Sequence, residues 1–133
     1  DLGWYVDLNP TQSPALAGGY SHGERVNVDP QLVLGTLLVA ANVPASTACS
    51  VGGDSWLYQL SYLSGTYIST APGQVAATKV ASALTGGFVT VRLPSGAIKT
   101  IITDTTGVKR TEGVFTGAGS GGGRRVSWRE LIQ

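Results

Sequence analysis

Side chains able to act as nucleophiles, proton donors or metal ligands are few in this chain. It holds one histidine, His22, and one cysteine, Cys49. His22 lies in a Ser/Gly stretch, and a Ser–His–acid triad could be drawn from it with Ser21 or Ser13. No G-x-S-x-G elbow is present to hold such a serine on a sharp turn, so His22 reads as structural or solvent-facing. One His and one Cys cannot provide the usual four ligands of a zinc site. The eight carboxylates are dispersed, and none falls into the D-x-D-x-D-G pattern of a calcium loop. Asp104-Thr-Thr-Gly107 could lend one or two oxygens to a calcium ion shared with another segment. An aspartate closing its own turn accounts for it more simply. Gly117, Gly119 and Gly122 match the spacing G-x-G-x-x-G. Dinucleotide binding needs that loop between a strand and a helix, with an acidic residue about twenty positions on. The chain ends before that distance, so the match is accidental.

The aromatics Trp4, Tyr5, Trp56, Tyr58, Tyr62, Tyr67 and Trp128 could stack on sugar rings, but their strand-like spacing assigns most of them to a core. Cys49 sits among small residues in Pro44-Ala-Ser-Thr-Ala-Cys-Ser50. Two readings stay open for it: a partly buried small side chain, or a disulfide to a segment outside this chain in an oxidising compartment. No cofactor is expected.

The totals restrict the class. The 133 residues are 42% hydrophobic but only 13% charged, against a usual charged fraction of about 25%. Thr, Ser and 19 Gly take the place of charge, a mixture that suits extracellular β structure and is too apolar for disorder. A net charge of +1 creates no field that would draw nucleic acid, and Lys109-Arg110 and Arg124-Arg125 read as solvated strand ends. No apolar run approaches the roughly 18 residues of a membrane span. The longest, Leu32 to Val43, is broken by Gly35, Thr36 and Asn42 and reads as buried strand. No signal peptide opens the chain, and Asp1 to Leu8 is already strand-like, which suggests a chain that begins inside a larger polypeptide.

The elements that must position these residues are short strands. Asp54 to Gly65 is the organising stretch: Trp56, Tyr58 and Leu60 alternate with Leu57, Gln59 and Ser61, the period of a half-buried strand. Leu2–Leu8 and Glu24–Val28 are predicted as strands around a turn-rich loop, Asn9–Gly23. Leu32–Val43 gives two strands joined at Gly35-Thr36, or one long bulged strand. A short return is expected over Thr66–Ser69, and Ala71–Ala83 reads as loop or irregular strand. Phe88–Leu93, the turn Pro94-Ser95-Gly96 and Ala97–Thr103 make the clearest hairpin. Asp104–Gly107 turns again, and Val108–Phe115 supplies an edge. The result is an all-β fold of eight or nine short strands in all: antiparallel β blades over 1–116, a Gly-rich linker over 117–123 and a C-terminal strand over 124–133.

Several phrases carry a family resemblance in their order. They are Gly3-Trp-Tyr-Val-Asp-Leu8, Gly23-Glu-Arg-Val-Asn-Val-Asp-Pro30, Val43-Pro-Ala-Ser-Thr-Ala-Cys-Ser-Val-Gly-Gly-Asp-Ser-Trp-Leu-Tyr-Gln-Leu60 and Gly123-Arg-Arg-Val-Ser-Trp-Arg-Glu-Leu131. In this order they resemble the C-terminal end of the PilY family, large type IV pilus biogenesis factors and tip-associated adhesins. The resemblance weakens between Tyr67 and Phe88, and Asn9–Gly19 is similar to an insertion. A W-L-Y-x-L strand closed by L-S-G-T is likewise similar to a β-propeller blade.

The resemblance implies the closing blades of a modified propeller, export to the bacterial surface, and a role in pilus assembly, retraction control or attachment. The family's calcium loop has no counterpart here, so calcium is not implied for this chain. At about 40–50 residues per blade, the chain supplies only part of a ring, and open strand edges seek partners. Expected partners are therefore the remaining blades of a parent protein, pilins, or copies of the chain itself, with no nucleic acid and no membrane span. Cys49, Trp4, Val6, Val126 and Trp128 are the candidate intermolecular contacts, with Leu2–Leu8 or Arg124–Ile132 as strand donor. Two alternatives stand beside the pilus reading: a self-assembling extracellular filament subunit, and a fragment of a quinoprotein-like propeller enzyme.

Overall fold

The computed structural model of the chain describes residues 3–6, 8, 23–45, 52–71, 73 and 76–116. Its first hairpin is set by two successive positive backbone angles, φ 45° at Leu34 and 81° at Gly35. That primed turn matches the twist of the strands on either side, and it joins β1 (Gln31–Val33) to β2 (Thr36–Pro44). The junction thus falls one residue before the one read from sequence. β3 (Gly53–Ser61) lies antiparallel to β2 along its whole length, from Thr36 opposite Ser61 to Pro44 opposite Gly53. Gly53 is obligatory there: at its φ of 155° a Cβ would stand 2.0 Å from the Val43 carbonyl oxygen. β4 (Ala77–Ala81) closes the sheet beside β3, with a bulge at Ser55/Trp56. The order is β1-β2-β3-β4.

The second sheet is a three-stranded meander of β5 (Thr85–Arg92), β6 (Ile98–Asp104) and β7 (Lys109–Gly113). The hairpin expected around Pro94-Ser95-Gly96 is present, and β5 begins three residues earlier than Phe88. The edge expected from Val108 onward is β7. Every strand pair in both sheets is antiparallel and neither sheet closes. Among the described residues the fold is all-β, with seven strands.

Burial explains why β3 is central. Along β2 and β3, Leu37, Val39, Ala41, Trp56, Tyr58 and Leu60 share one face by alternation. There Ala41, Tyr58 and Leu60 form a cluster with Ala76 and Ala77, covered by Val6, Leu8 and Tyr67. The opposite face carries Leu38, Ala40, Leu57 and Gln59, all buried as well. The expectation of a half-buried strand is therefore corrected. The middle of β3 is buried on both faces, because the second sheet covers the face that holds Gln59. From that sheet β6 contributes a row of Ile98, Thr100, Ile102 and Asp104, each buried.

Three carboxamides join the sheets: Asn42 and Gln59 with two bonds each, and Gln31 with one. Asn42 Oδ1 accepts the Thr85 N–H at 2.7 Å, and Asn42 Nδ2 donates to the Thr85 carbonyl at 2.9 Å and to Asn27 Oδ1 at 2.7 Å. Gln59 Nε2 donates to the Gly113 carbonyl at 2.9 Å, and Gln59 Oε1 accepts the Phe115 N–H at 2.9 Å. Thr36 Oγ1 adds a bond to the Phe115 carbonyl at 2.7 Å. These backbone groups lie on the outer strands of the second sheet and just beyond them, where no neighbouring strand serves them.

Three expected strands are corrected. Gly3–Val6 of Leu2–Leu8 takes no strand pairing; it is held by side chains instead. The Trp4 ring lies over Gly65, where a Cβ would stand 2.4 Å from it, and Trp4 Nε1 donates to the Tyr62 carbonyl at 2.7 Å. Glu24–Val28 makes a single bridge, Arg25 with Asn42. It meets the side of β2 beyond the three residues that β1 pairs, and only one residue finds a ladder position there. The return over Thr66–Ser69 is likewise reduced to a bridge between Tyr67 and Leu60. The linker 117–123 and the strand expected over 124–133 lie outside the described residues.

Asn42→Ala strands the Thr85 N–H and carbonyl inside the sheet contact. The expected cost is about 2–4 kcal/mol, at roughly 1–3 kcal/mol for each buried group left unpaired. Gln59→Ala should cost a similar amount. Gln31→Ala, which removes one partly buried bond to the Phe88 carbonyl, should cost only about 1 kcal/mol. Urea midpoints at constant slope measure all three. Equal losses for Asn42→Ala and Gln31→Ala would mean the amides do not hold the sheets together.

Candidate protein-interaction surface

Two open sheets leave four edge strands: β1, β4, β5 and β7. Three of them carry features that discourage pairing. β1 is three residues long. β4 opposes a bulge, and its Lys79 is exposed and ion-paired with Asp54 at 2.8 Å. β7 presents Lys109, Arg110 and Glu112. β5 has an irregularity too, at Thr85/Gly87, and ends in Arg92, but between them Phe88 to Val91 is regular and uncharged, and Val89 is 52% exposed.

The direction of the edge groups follows from bonds already made. The Asp104 N–H donates to the Val108 carbonyl, and the Val114 N–H to the Ile98 carbonyl, so even-numbered β6 residues turn their peptide groups toward β7. Their partners on β5, which are Thr85, Phe88, Thr90 and Arg92, must then turn outward. The bonds from Asn42 to Thr85 and from Gln31 Nε2 to the Phe88 carbonyl at 3.0 Å fit this assignment.

A second exposed feature sits where the β1–β2 turn meets the exit of β3. The Tyr62 N–H donates to the Gly35 carbonyl, and Trp4 donates to the Tyr62 carbonyl, which brings Leu34, Tyr62, Leu63 and Trp4 to one end of the first sheet. Each is at least partly exposed, and Leu63 is 74% so. Of the contacts read from sequence, Trp4 lies in this patch and Val6 packs on the core cluster. Cys49, Val126 and Trp128 lie outside the described residues.

Three titratable groups, Asp104, Glu24 and Tyr58, are engaged in structure. Asp104 Oδ1 accepts from the Thr106 hydroxyl, the Thr106 N–H at 2.9 Å and the Val108 N–H at 3.0 Å. This is the turn closure expected of Asp104-Thr-Thr-Gly107. The Thr106 hydroxyl holds the Asp104 carboxyl below its ordinary range, against the opposing effect of burial, with the two amides and Arg110 assisting. Glu24 Oε1 accepts the Tyr58 hydroxyl at 2.7 Å. Its Oε2 is buried and finds no hydrogen-bond partner among the described residues. Burial pushes the Glu24 carboxyl above its ordinary 4.5, partly opposed by the Tyr58 bond. Burial, with that bond and the nearby charge, holds Tyr58 in its neutral form. Among the described residues, no three His, Cys, Asp or Glu side chains come together as a metal would require, and no helix is long and apolar enough to cross a membrane.

Set against family models, curated proteins and solved structures, the chain finds no match. Alternation could not single out Asn42 or the Glu24–Tyr58 pair, because their partners are about 43 and 34 residues distant. The one available signal was a polar Asn inside the apolar run from Leu32 to Val43.

A carboxyl whose folded pKa is raised contributes stability in its neutral form, and that contribution is lost as pH rises from the unfolded value through the folded one. Glu24→Gln keeps an acceptor for Tyr58 and removes the charge. Its stability relative to the parent should therefore climb as pH rises from 4.5 through the raised folded value. Urea melts across that range measure it; a difference that falls with pH would contradict the assignment.

Proposed function

We propose that this chain is a non-enzymatic surface protein of the type IV pilus system, contributing the closing blades of an incomplete β-propeller and acting through protein contacts. The observation that carries the reading is the ordered set of phrases from Gly3-Trp-Tyr-Val-Asp-Leu8 to Gly123-Arg-Arg-Val-Ser-Trp-Arg-Glu-Leu131. The architecture supports it. Successive blades are antiparallel meanders laid down one after another, and here β1–β4 complete one sheet in chain order before β5–β7 begin the next. Contact through buried side chains of β2 and β3 suits neighbouring blades. Open edges on both sheets suit a piece that continues into further blades, pilins or copies of itself. Cys49 would then serve as a tie to a partner segment.

The edges favour one second reading, a filament subunit built by strand pairing between copies. The two readings separate on the bacterial cell. An antibody raised against this chain should label intact cells, and its antigen should co-purify with sheared pili. Antigen confined to the cytoplasmic fraction would end both readings. Surface label in fibres that persist without pilins would favour the filament.

A further inference from the structure

We infer that the outer edge of β5 receives the same edge of a second copy, antiparallel about a two-fold axis at Thr90, joining the two three-stranded sheets into one continuous sheet. The inference does not depend on membership of the pilus system, and it predicts a closed pair rather than a fibre.

The argument starts from which edge groups are already used. On the outer side of β5, Thr85 has both peptide groups bonded to Asn42. Phe88 has one carbonyl bond from Gln31, and a carbonyl has two lone pairs, so it can accept a second. Thr90 and Arg92 follow on the same side. On β7 the Gly113 carbonyl and both peptide groups of Phe115 are held by Gln59 and Thr36. That leaves Lys109 and Thr111 on its outward side. β5 and β7 thus offer open runs of similar length, and they differ in charge: Phe88 to Val91 carries none, whereas β7 opens on Lys109 and Arg110.

The choice of occupant follows from charge and side-chain pairing. Centred at Thr90, the antiparallel register places Thr90 opposite Thr90 of the second copy, Phe88 opposite Arg92 and Val89 opposite Val91. No like charges meet. Threonine pairs, β-branched pairs and an aromatic facing a guanidinium are all favourable across strands. The exposed Val89 loses its water on pairing. The edge of β7 fits less well: with Thr90 opposite Thr111, Arg92 would face Lys109, and like charges directly opposite are unfavourable. A short ladder of this size makes a concentration-dependent dimer rather than an obligate one.

The test is light scattering of the purified chain over a range of concentrations, with reductant present so that Cys49 plays no part. The parent chain should shift from monomer to dimer. Thr90→Pro removes an N–H that β6 does not use, and proline is tolerated at such an edge position. It should weaken the dimer roughly tenfold or more, since two hydrogen bonds are lost. Thr111→Pro on β7 should leave the dimer unchanged.

Cross-linking removes the dependence on folding of the proline variant. In a hydrogen-bonded antiparallel pair the facing Cα atoms are about 5.5 Å apart, within disulfide range. In a Cys49→Ser background, Thr90→Cys should therefore oxidise to a covalent dimer and Thr111→Cys should not. A parent chain that stays monomeric at every concentration overturns the inference. So does a Thr111→Cys cross-link in place of one at Thr90, or assembly into open fibres that Thr90→Pro leaves intact.

Discussion

A strand edge turned toward a protein interior must find partners for its peptide groups, because an unpaired buried N–H or carbonyl costs about as much as a lost hydrogen bond. In this chain the second sheet brings two such edges against the first. The partners are side-chain amides from the centre of the first sheet. A carboxamide offers a donor and an acceptor side by side, as a peptide does. Asn42 can therefore stand in for a missing strand at Thr85, and Gln59 can do so at Gly113 and Phe115. The apolar rows of β2, β3 and β6 supply surface to bury, but they set no unique register between sheets. The amides do, since each must meet one particular peptide edge.

The same accounting separates the closed parts of the molecule from the open ones. Asn42 also binds Asn27, and its backbone holds Arg25, so one residue ties the Glu24–Val28 segment, β2 and β5 together. Gln59 closes the end of β7, and Thr36 adds to that closure. The charged or shortened edges resist pairing. What is left is the outer half of β5 and the apolar end around Tyr62 and Leu63.

Local pattern in the sequence was enough to place most strands. The Trp56 strand, the Phe88–Thr103 hairpin, the Asp104 turn and the edge after it are specified by alternation and turn residues within a few positions. Where pattern misled, long-range packing decided. Leu2–Leu8 alternates as a strand would, yet Trp4 gains more by covering Gly65 and bonding Tyr62. Glu24–Val28 alternates too, but it meets β2 at a single bridge, Arg25 with Asn42. β3 read as half-buried because Gln59 is polar, and the sequence carries no mark that a buried amide will meet a peptide edge 54 residues away. The candidate surface was legible only as a consequence of open sheets; which edge stays open depends on hydrogen-bond partners that no local window contains.

Hydrogen exchange at two backbone amides tests the central claim most directly. The Thr85 and Phe115 N–H groups have no strand neighbour and are bonded to Asn42 and Gln59 alone. If the carboxamides lock the sheets together, both should exchange as slowly as amides in the middle of β6, such as Ile102, opening only with the fold itself. Exchange as fast as in the exposed turn at Ser95 would contradict the account, and would mean that the two sheets associate through apolar contact without a fixed register.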